Sequence, residues 1–367
     1  MKKTLVALAA LAVVGAASAQ STVTLYGRID AGLAQNSTKV NGVKTANVGL
    51  QVVSAGYTGS RWGLRGSEDL GGGLKANFQL EQGFNVDTGN ESDATKQFRR
   101  QAWVGLSGGF GNIQAGRQYG TIDNLMGTYD AQEYSTNSAM GYVFAGNLFT
   151  TNALLIPAGV TCDGGAGVQQ NITNNNCAGR INNSLSYTTP ALIPGLTAQV
   201  MWAPGENKNP VTGQSAGRYQ GLFVNYGAGP LGLGFAYEKS KLTFAAPLPS
   251  TSQTLWMFGG SYDLGMAKLY GIYEKGNARG SAEDTGFSLG VVVPLGAMTM
   301  NAGYAREKTD AGAGVSGRNS AFAASLHYPL SKRTRLYSSF LQGKLKNAAG
   351  TSQQKDSSLN FGLIHNF

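Results

Sequence analysis

Ser357-Ser358-Leu359-Asn360-Phe361-Gly362-Leu363-Ile364-His365-Asn366-Phe367 runs to the end of the sequence on a two-residue period. Leu359, Phe361, Leu363, His365 and Phe367 share one parity. Alternate side chains of a strand point to opposite faces, so this segment predicts a strand with one mainly apolar face. A soluble protein rarely presents a terminal Phe to water, whereas a barrel whose outer wall meets lipid does so readily. Taken alone, the segment also fits a docked C-terminal edge strand.

The N-terminal end narrows the choice. Lys2 and Lys3 form a positive region, Leu5 to Ala17 is apolar, and Ala17-Ser18-Ala19 is a small-residue cleavage pattern. Residues 1–19 therefore read as a secretory signal peptide, with Gln20 the first mature residue. Beyond Gln20 no run of 18 apolar residues occurs, which argues against a membrane-spanning helix.

Composition suits many strands joined by tight turns: 53 Gly, 16 Tyr and 15 Phe against 10 Pro. Mean hydropathy is slightly negative, as expected where apolar outward residues alternate with polar inward ones. The formal net charge of +9 raises nucleic acid, acidic polymers or an anion path as partners. The basic residues are dispersed and not gathered in a tail or helix, which argues against nucleic acid in an exported chain. Cys162 and Cys177 are the only cysteines; in an oxidising compartment they predict a disulfide within one loop. Free thiols remain the alternative, and a metal site is disfavoured because neither histidine is close in sequence.

Short turn signals recur along the chain: SEDLGGG from Ser67, SGGFGN from Ser107, TPALIPG from Thr189, GAGPLG from Gly227, DLGM from Asp263, PLGA from Pro294 and PLSKR from Pro329. Their spacing is regular except between the second and third, where it doubles. Each interval holds a strand, a longer polar loop and a returning strand. Seven turns join fourteen strands, and Thr22–Ala34 with Ser357–Phe367 make sixteen. An even count with both ends on the short-turn side predicts an all-β, 16-stranded antiparallel transmembrane β-barrel, wide enough to hold an aqueous channel.

The alternation also assigns faces. Val23, Leu25, Ile29, Ala31 and Leu33 oppose Thr24, Tyr26, Arg28 and Asp30. Leu74, Ala76, Phe78 and Leu80 oppose Lys75, Asn77, Gln79 and Glu81, and Trp62 and Leu64 oppose Arg61 and Arg65. Charges facing lipid at mid-depth cost roughly 2 to 4 kcal/mol each, so the charged faces are expected to line the lumen. Trp256, Tyr262, Tyr270, Tyr273, Tyr328 and Tyr337 fall near strand ends, where interfacial aromatic girdles belong.

VTLYGRIDAGL from Val23, SRWGLRGSEDLGGGLKANFQLEQGF from Ser60, RRQAWVGLSGGFGNIQAGRQYG from Arg99, RINNSLSYTTP from Arg180 and the terminal GLIHNF resemble the trimeric general porins of Gram-negative outer membranes, particularly the beta-proteobacterial type. The similarity spans the mature chain in order. It implies that residues 20–367 form a single barrel domain in the outer membrane, assembled as a homotrimer among lipid and lipopolysaccharide. It also implies that the barrel-assembly machinery reads the C-terminal strand, with Phe367 as its assembly signal. In the family the third external loop folds inward and narrows the channel; here that loop fits the doubled interval, 120–179. Basic wall residues then face loop acids across the constriction.

By motif match the wall residues are Arg28, Arg61, Arg65, Arg100 and Arg180, and parity independently supports the first three. Only one of Arg99 and Arg100 can face inward, and the match selects Arg100. The candidate loop acids are Asp123, Asp130 and Glu133, with Glu133 favoured, although AQEYSTNSAMGY departs from the Pro-Glu-Phe-Gly-Gly pattern of enteric porins. Cys162 and Cys177 also lie in a departing stretch and take no role from the family. The second external loop, 87–96, resembles the latching loop that reaches a neighbouring subunit, so Glu91 or Asp93 pairing with Arg117 is a candidate trimer contact, beside a plain solvated loop.

The implied function is passive diffusion of small hydrophilic solutes and ions, with no enzyme chemistry, cofactor or metal. A ring of arginines between low-dielectric walls lowers the energy of passing anions, giving a modest anion preference. The alternatives are a substrate-specific channel, and a barrel serving as adhesin or scaffold. Gly312-x-Gly314-x-x-Gly317 matches a dinucleotide fingerprint only as text, because no βαβ unit surrounds it. His327 and His365 have no evident nucleophile partner.

Overall fold

Among the described residues, alternation becomes architecture in seventeen strand segments joined by antiparallel pairing alone. The computed structural model describes residues 22–94, 96–144, 179–208, 215–242, 251–278, 282–310, 316–346 and 353–367. The expected leader (residues 1–19), Cys162 and Cys177 lie outside the described residues. In chain order, β1 (Thr22–Val40), β2 (Val43–Ser54), β3 (Arg61–Gly71), β4 (Leu74–Gly83), β5 (Gln101–Gly108) and β6 (Gly111–Tyr119) come first. Two short helices follow, α1 (Thr121–Tyr129) and α2 (Ala139–Phe144). Then come β7 (Arg180–Thr188), β8 (Leu196–Lys208), β9 (Ser215–Ala228), β10 (Leu231–Leu242), β11 (Thr251–Asp263) and β12 (Lys268–Ala278). β13 (Ala282–Leu295), β14 (Met298–Asp310), β15 (Ser316–Pro329), β16 (Thr334–Lys346) and β17 (Gln353–Asn366) complete the wall.

Seventeen segments make sixteen staves. β3 pairs with the Thr22–Arg28 part of β1, and β2 with the Ala31–Val40 part, so β2 and β3 lie end to end along one neighbour. Between them Ala55–Ser60 leaves the ladder and carries Tyr57 into the interior, where it is fully buried. The wall closes where β1 meets β17, in register from Arg28 against Asn366 to Val40 against Gln354. Gly27 and Phe367 extend that seam by two reciprocal backbone bonds of 3.0 and 3.1 Å. Closure removes the edge strands that hydrocarbon cannot satisfy.

All seven short turns fall where the Gly- and Pro-rich signals place them, between β3 and β4, β5 and β6, β7 and β8, β9 and β10, β11 and β12, β13 and β14, and β15 and β16. The opposite end departs from expectation at its first connection. β1 continues past Ala34 to Val40 and turns through Asn41 and Gly42 alone, at φ 50° and 84°. Two residues with positive φ fit the right-handed twist of a hairpin, and Asn-Gly is the favoured pair for it. A long ribbon therefore replaces the longer polar loop.

The outward face carries exposed Leu25, Leu33, Val104, Leu106, Ile113, Leu289, Phe322, Phe340, Phe361 and Leu363. Spread over the wall, this far exceeds the patch a water-soluble monomer exposes, and it forms the lipid-facing band of a transmembrane barrel. Tyr262 and Tyr328 are exposed near strand ends as the girdle reading expects, whereas Tyr273 is exposed at the middle of β12. Tyr337 differs: it is buried inside, where its hydroxyl donates to Asp30 Oδ1 at 2.8 Å. Its parity is that of inward Ser339 and Leu341, and parity outranks position along the strand.

The core lies inside the barrel. Ile122, Leu125, Met126 and Tyr129 of α1, with Met140 and Phe144 of α2, pack against Leu255, Met257, Ile272, Leu341 and Leu345 of the wall. Burying each large apolar side chain contributes roughly 1.5–3 kcal/mol, so this contact holds the third loop in the lumen. Wall glycines make the approach possible. A Cβ at Gly259 would meet the Tyr129 ring at 2.6 Å, and one at Gly290 would meet Ala131 Cβ at 2.5 Å.

Candidate pore constriction

With the third loop seated on the β8–β16 side, the opposite wall from β1 to β7 is left to face it across the lumen. Arg28 on β1 stands directly opposite Arg61 on β3. Arg28 Nε donates to Asn366 Oδ1 at 2.7 Å, and Arg61 Nη1 donates to Gly59 O at 3.1 Å. The next stave supplies Glu81, whose Oε2 lies 3.7 Å from Arg61 Nε and whose Oε1 accepts from Arg100 Nε at 2.6 Å. Arg100 Nη2 continues to the Tyr119 hydroxyl at 2.8 Å. Arg180 Nη2 reaches the same hydroxyl at 3.0 Å, with its guanidinium 4.6 Å from the centre of that ring.

The network extends the other way through Tyr26. Its hydroxyl donates to Glu81 Oε2 at 3.0 Å and accepts from Gln79 Nε2 at 2.6 Å, while Arg65 lies over its ring at 5.0 Å. Four of the five expected arginines thus belong to one chain of contacts: Arg65, Tyr26, Glu81 with Arg61 and Arg100, then Tyr119 and Arg180. Arg28 sits beside it in register. Glu81 anchors the group, because one carboxylate accepting charge-assisted bonds lets neighbouring guanidiniums share a small space. Arginine keeps its charge through the physiological range, so the remaining excess is permanent.

The three expected acids separate. Glu133 presents its carboxylate to the lumen with its side chain 43% exposed, and accepts from Arg335 Nη1 at 2.8 Å and Nη2 at 2.6 Å. Burial pushes this carboxyl up, but the Arg335 bonds and charge outweigh it and hold Glu133 below the usual carboxylate range. Asp130 turns into the loop. It accepts from the Gln132 and Tyr134 backbone at 3.1 and 2.9 Å and from the Ser138 hydroxyl at 2.6 Å. Burial pushes its carboxyl up to about 6 against the pull of those bonds. Asp123 is buried at the start of α1 and accepts from the Tyr134 hydroxyl at 3.0 Å. The structure therefore places Asp130 and Asp123 as supports of the loop: three bonds tie up Asp130, and Asp123 is shut from water.

Glu133 and Tyr134 adopt left-handed backbone, at φ 58° and 49°, which an L-residue takes only when its surroundings hold it there. The restraints are visible. Thr136 N donates to Tyr57 O at 2.8 Å, Thr136 Oγ1 donates to Ala55 O at 2.8 Å, and the Tyr57 hydroxyl donates to Gln132 O at 3.1 Å. The Ala55–Ser60 excursion is itself held by Asp30, whose Oδ2 accepts from the Tyr57 and Thr58 backbone at 2.8 and 2.6 Å. An inward step of the wall pins the tip of the constricting loop.

Sequence reasoning missed Arg335, Tyr119 and this latch. Arg335 was legible, since it shares the inward parity of Tyr337 and Ser339. The latch left no local signal. Of the candidate subunit contacts, Arg117 and Asp93 are engaged or buried within their own chain, while the Glu91 side chain is exposed and only its backbone is bridged. Arg117 donates to Arg99 O at 2.6 Å and to Asn182 Oδ1, Glu91 bridges to Phe84, and Asp93 is buried.

Comparison with known proteins agrees with this geometry. The family model for Gram-negative porins matches residues 4–348. Outer membrane porin protein 32 of Delftia acidovorans is 33% identical over 95% of this chain and 91% of its own length. Among solved structures, the anion-selective porin from Comamonas acidovorans superposes with a TM-score of 0.75 at 28% identity, covering 95% of this chain and 100% of that one. OmpT of Vibrio cholerae, solved in a trimer form, shares the fold at a TM-score of 0.60 and 14% identity, over 93% of this chain and 99% of that one. A closed barrel with a lipid-facing exterior, a polar lumen and a loop across it is an outer-membrane channel for passive diffusion, and the chain belongs to the Gram-negative porin family.

Proposed function

We propose that this channel favours anions and works as a homotrimer in the lipopolysaccharide-bearing outer membrane. The observation that carries the selectivity is the arginine network. Arg61 and Arg100 share one carboxylate, Glu81, while Arg180 and Arg65 rest on tyrosines. Fixed positive charge in a narrow, low-dielectric passage lowers the energy of an anion and raises that of a cation. The kinship with a porin named as anion-selective supports the same sign.

For the trimer, the support is the family and the trimer form of OmpT, with the second loop as the contact and Glu91, Asp93 and Arg117 as its candidate residues. The seam position of Phe367 supports recognition of the C-terminal strand by the barrel-assembly machinery. No step in this reading uses a cofactor, a metal or covalent chemistry.

The deciding measurement is the zero-current potential of purified protein in a planar bilayer under a tenfold KCl gradient. An anion-favouring potential, with conductance rising in steps of three, is expected. Arg61→Ala and Arg180→Ala should each move the potential toward neutral, and Glu81→Gln should move it further toward anions. A cation-favouring potential in the unsubstituted protein overturns the selectivity.

A further inference from the structure

Tryptophan in a transmembrane barrel belongs to the lipid-facing wall and its girdles. Trp62, Trp202 and Trp256 keep to that rule, sharing the outward parity of Leu64, Val200 and Phe258. Trp103 departs from it. Its neighbour Val104 and then Leu106 are exposed on the outer face, so Trp103 points into the lumen. There it stands directly opposite Gln79 of β4, which stands opposite Arg65 of β3. Core packing does not account for it, because among the described residues half-buried Trp103 joins none of the buried apolar clusters.

The row Arg65–Gln79–Trp103 lies one step from the Glu81 network, toward the short turns, and both its ends are accessible. Trp103 Nε1 donates to Gln101 Oε1 at 3.1 Å, which satisfies the polar edge of the indole along its own strand. The next stave places Gly116 opposite Trp103, so no side chain from that position covers the ring. At the other end Tyr26 leans across Gly63, where an added Cβ would meet its ring at 2.8 Å, and Gln79 Nε2 fixes its hydroxyl at 2.6 Å. Arg65 lies over that ring at 5.0 Å and is exposed. Among the described residues its guanidinium has no hydrogen bond or ion pair, which leaves its donor edge open to the channel.

Adjacent staves are about 4.8 Å apart, so Arg65 and Trp103 rise from the wall roughly 10 Å apart. A flat ring resting on the indole, with a carboxylate at its edge, spans the gap to the long arginine side chain. The two ends make different demands. An indole face attracts another ring, and a guanidinium fork holds a carboxylate through paired, charge-assisted bonds. Chloride meets only the second demand, and a neutral arene only the first.

We propose that this row is a transit site for aromatic carboxylates, with the ring on Trp103 and the carboxylate on Arg65. Binding there is weak enough for release, as conduction requires. The inference rests on the anion-favouring reading above and adds a preference among anions of equal charge.

The test records chloride current through reconstituted channels at pH 7.5 in dilute KCl while benzoate or cyclohexanecarboxylate is added. The two solutes match in charge and nearly in size, and only the first is flat. Benzoate should block saturably, at a half-blocking concentration at least about threefold below that of cyclohexanecarboxylate. Trp103→Leu should bring the two together, and Trp103→Phe should keep benzoate the stronger. Arg65→Gln should weaken both solutes and also keep benzoate ahead. Conductance in KCl alone should be unchanged by Trp103→Leu, which verifies folding.

Equal half-blocking concentrations in the unsubstituted protein overturn the proposal, and that result needs no variant. A benzoate preference that survives Trp103→Leu overturns it too, since the ring would then rest elsewhere. So does block by neutral benzamide at the concentrations that serve for benzoate, which would show that the ring alone is held. The zero-current potential in KCl reports separately. A cation-favouring potential with the benzoate preference intact fails the selectivity reading and supports this site, and an anion-favouring potential without that preference does the reverse.

Discussion

Arg335 grips Glu133 with two parallel bonds, at 2.8 and 2.6 Å, across 202 positions of sequence. The pair ties the tip of the constricting loop to β16, and its members have opposite effects on a passing ion. Glu133→Gln removes the loop carboxylate that faces the lumen and leaves Arg335 uncompensated, so the zero-current potential should move toward anions. Arg335→Ala does the reverse, and the double variant should lie near the unsubstituted protein. Shifts of the same sign in both single variants would show that the pair acts through loop position and not through charge. Raising salt to 1 M shortens the screening length to about 3 Å and should shrink both shifts.

Tyr57 predicts a mechanical phenotype. Tyr57→Phe loses the bond to Gln132 O, a loss of about 1 kcal/mol. The backbone bond from Thr136 survives, so conductance should hold while open-channel noise rises modestly. Asp30→Ala removes the acceptor that shapes the whole excursion and strands buried donors, at about 1–3 kcal/mol for each group left unsatisfied. Voltage-induced closure should then begin at lower voltage. Current recordings as quiet as the unsubstituted channel in Asp30→Ala would remove the latch from the account.

Asp130 and Glu133 give the loop two opposite pH dependences. The folded Asp130 carboxyl sits at about 6, above its ordinary value of 3.8. Its contribution to loop stability is therefore full below 3.8 and is lost as pH rises through about 6. Glu133 is held below its ordinary 4.5, so its contribution is present above that value and is lost as pH falls through its lowered one. Amide exchange at Gln132 and Tyr134, corrected for intrinsic rate, should be slower at pH 5 than at pH 7.5. Asp130→Asn should abolish the difference, and a difference that persists in it would trace to another group.

Much of the barrel was legible because its punctuation is local. Gly- and Pro-rich turns and period-two alternation need only a few neighbouring residues, and Arg28, Arg61 and Arg65 took their side of the wall from parity alone. The Asn41-Gly42 hairpin was also written locally, but polar Asn36 to Thr38 masked the continuation of β1. The latch was not legible. Tyr337 and Asp30 meet across 307 positions, and nothing near either residue marks the meeting. Asp130 and Glu133 look alike in sequence, only three residues apart, and differ because one turns into the loop and the other out of it. Wall glycines under Tyr129 and Ala131 read as weak strand positions until the helix that needs the space is seen.

The reciprocal bonds between Gly27 and Phe367 carry a consequence for how the molecule comes apart. An ordinary sheet frays from its outermost strands, losing a little stability at a time. A ladder that returns to its own first stave has no outermost strand. Splitting any seam exposes two rows of bare amides and carbonyls to hydrocarbon at once, where each costs several kcal/mol. Loss of structure must therefore begin as a rupture of the ring, which makes resistance to denaturation a property of the whole circumference and assigns it to no single stave.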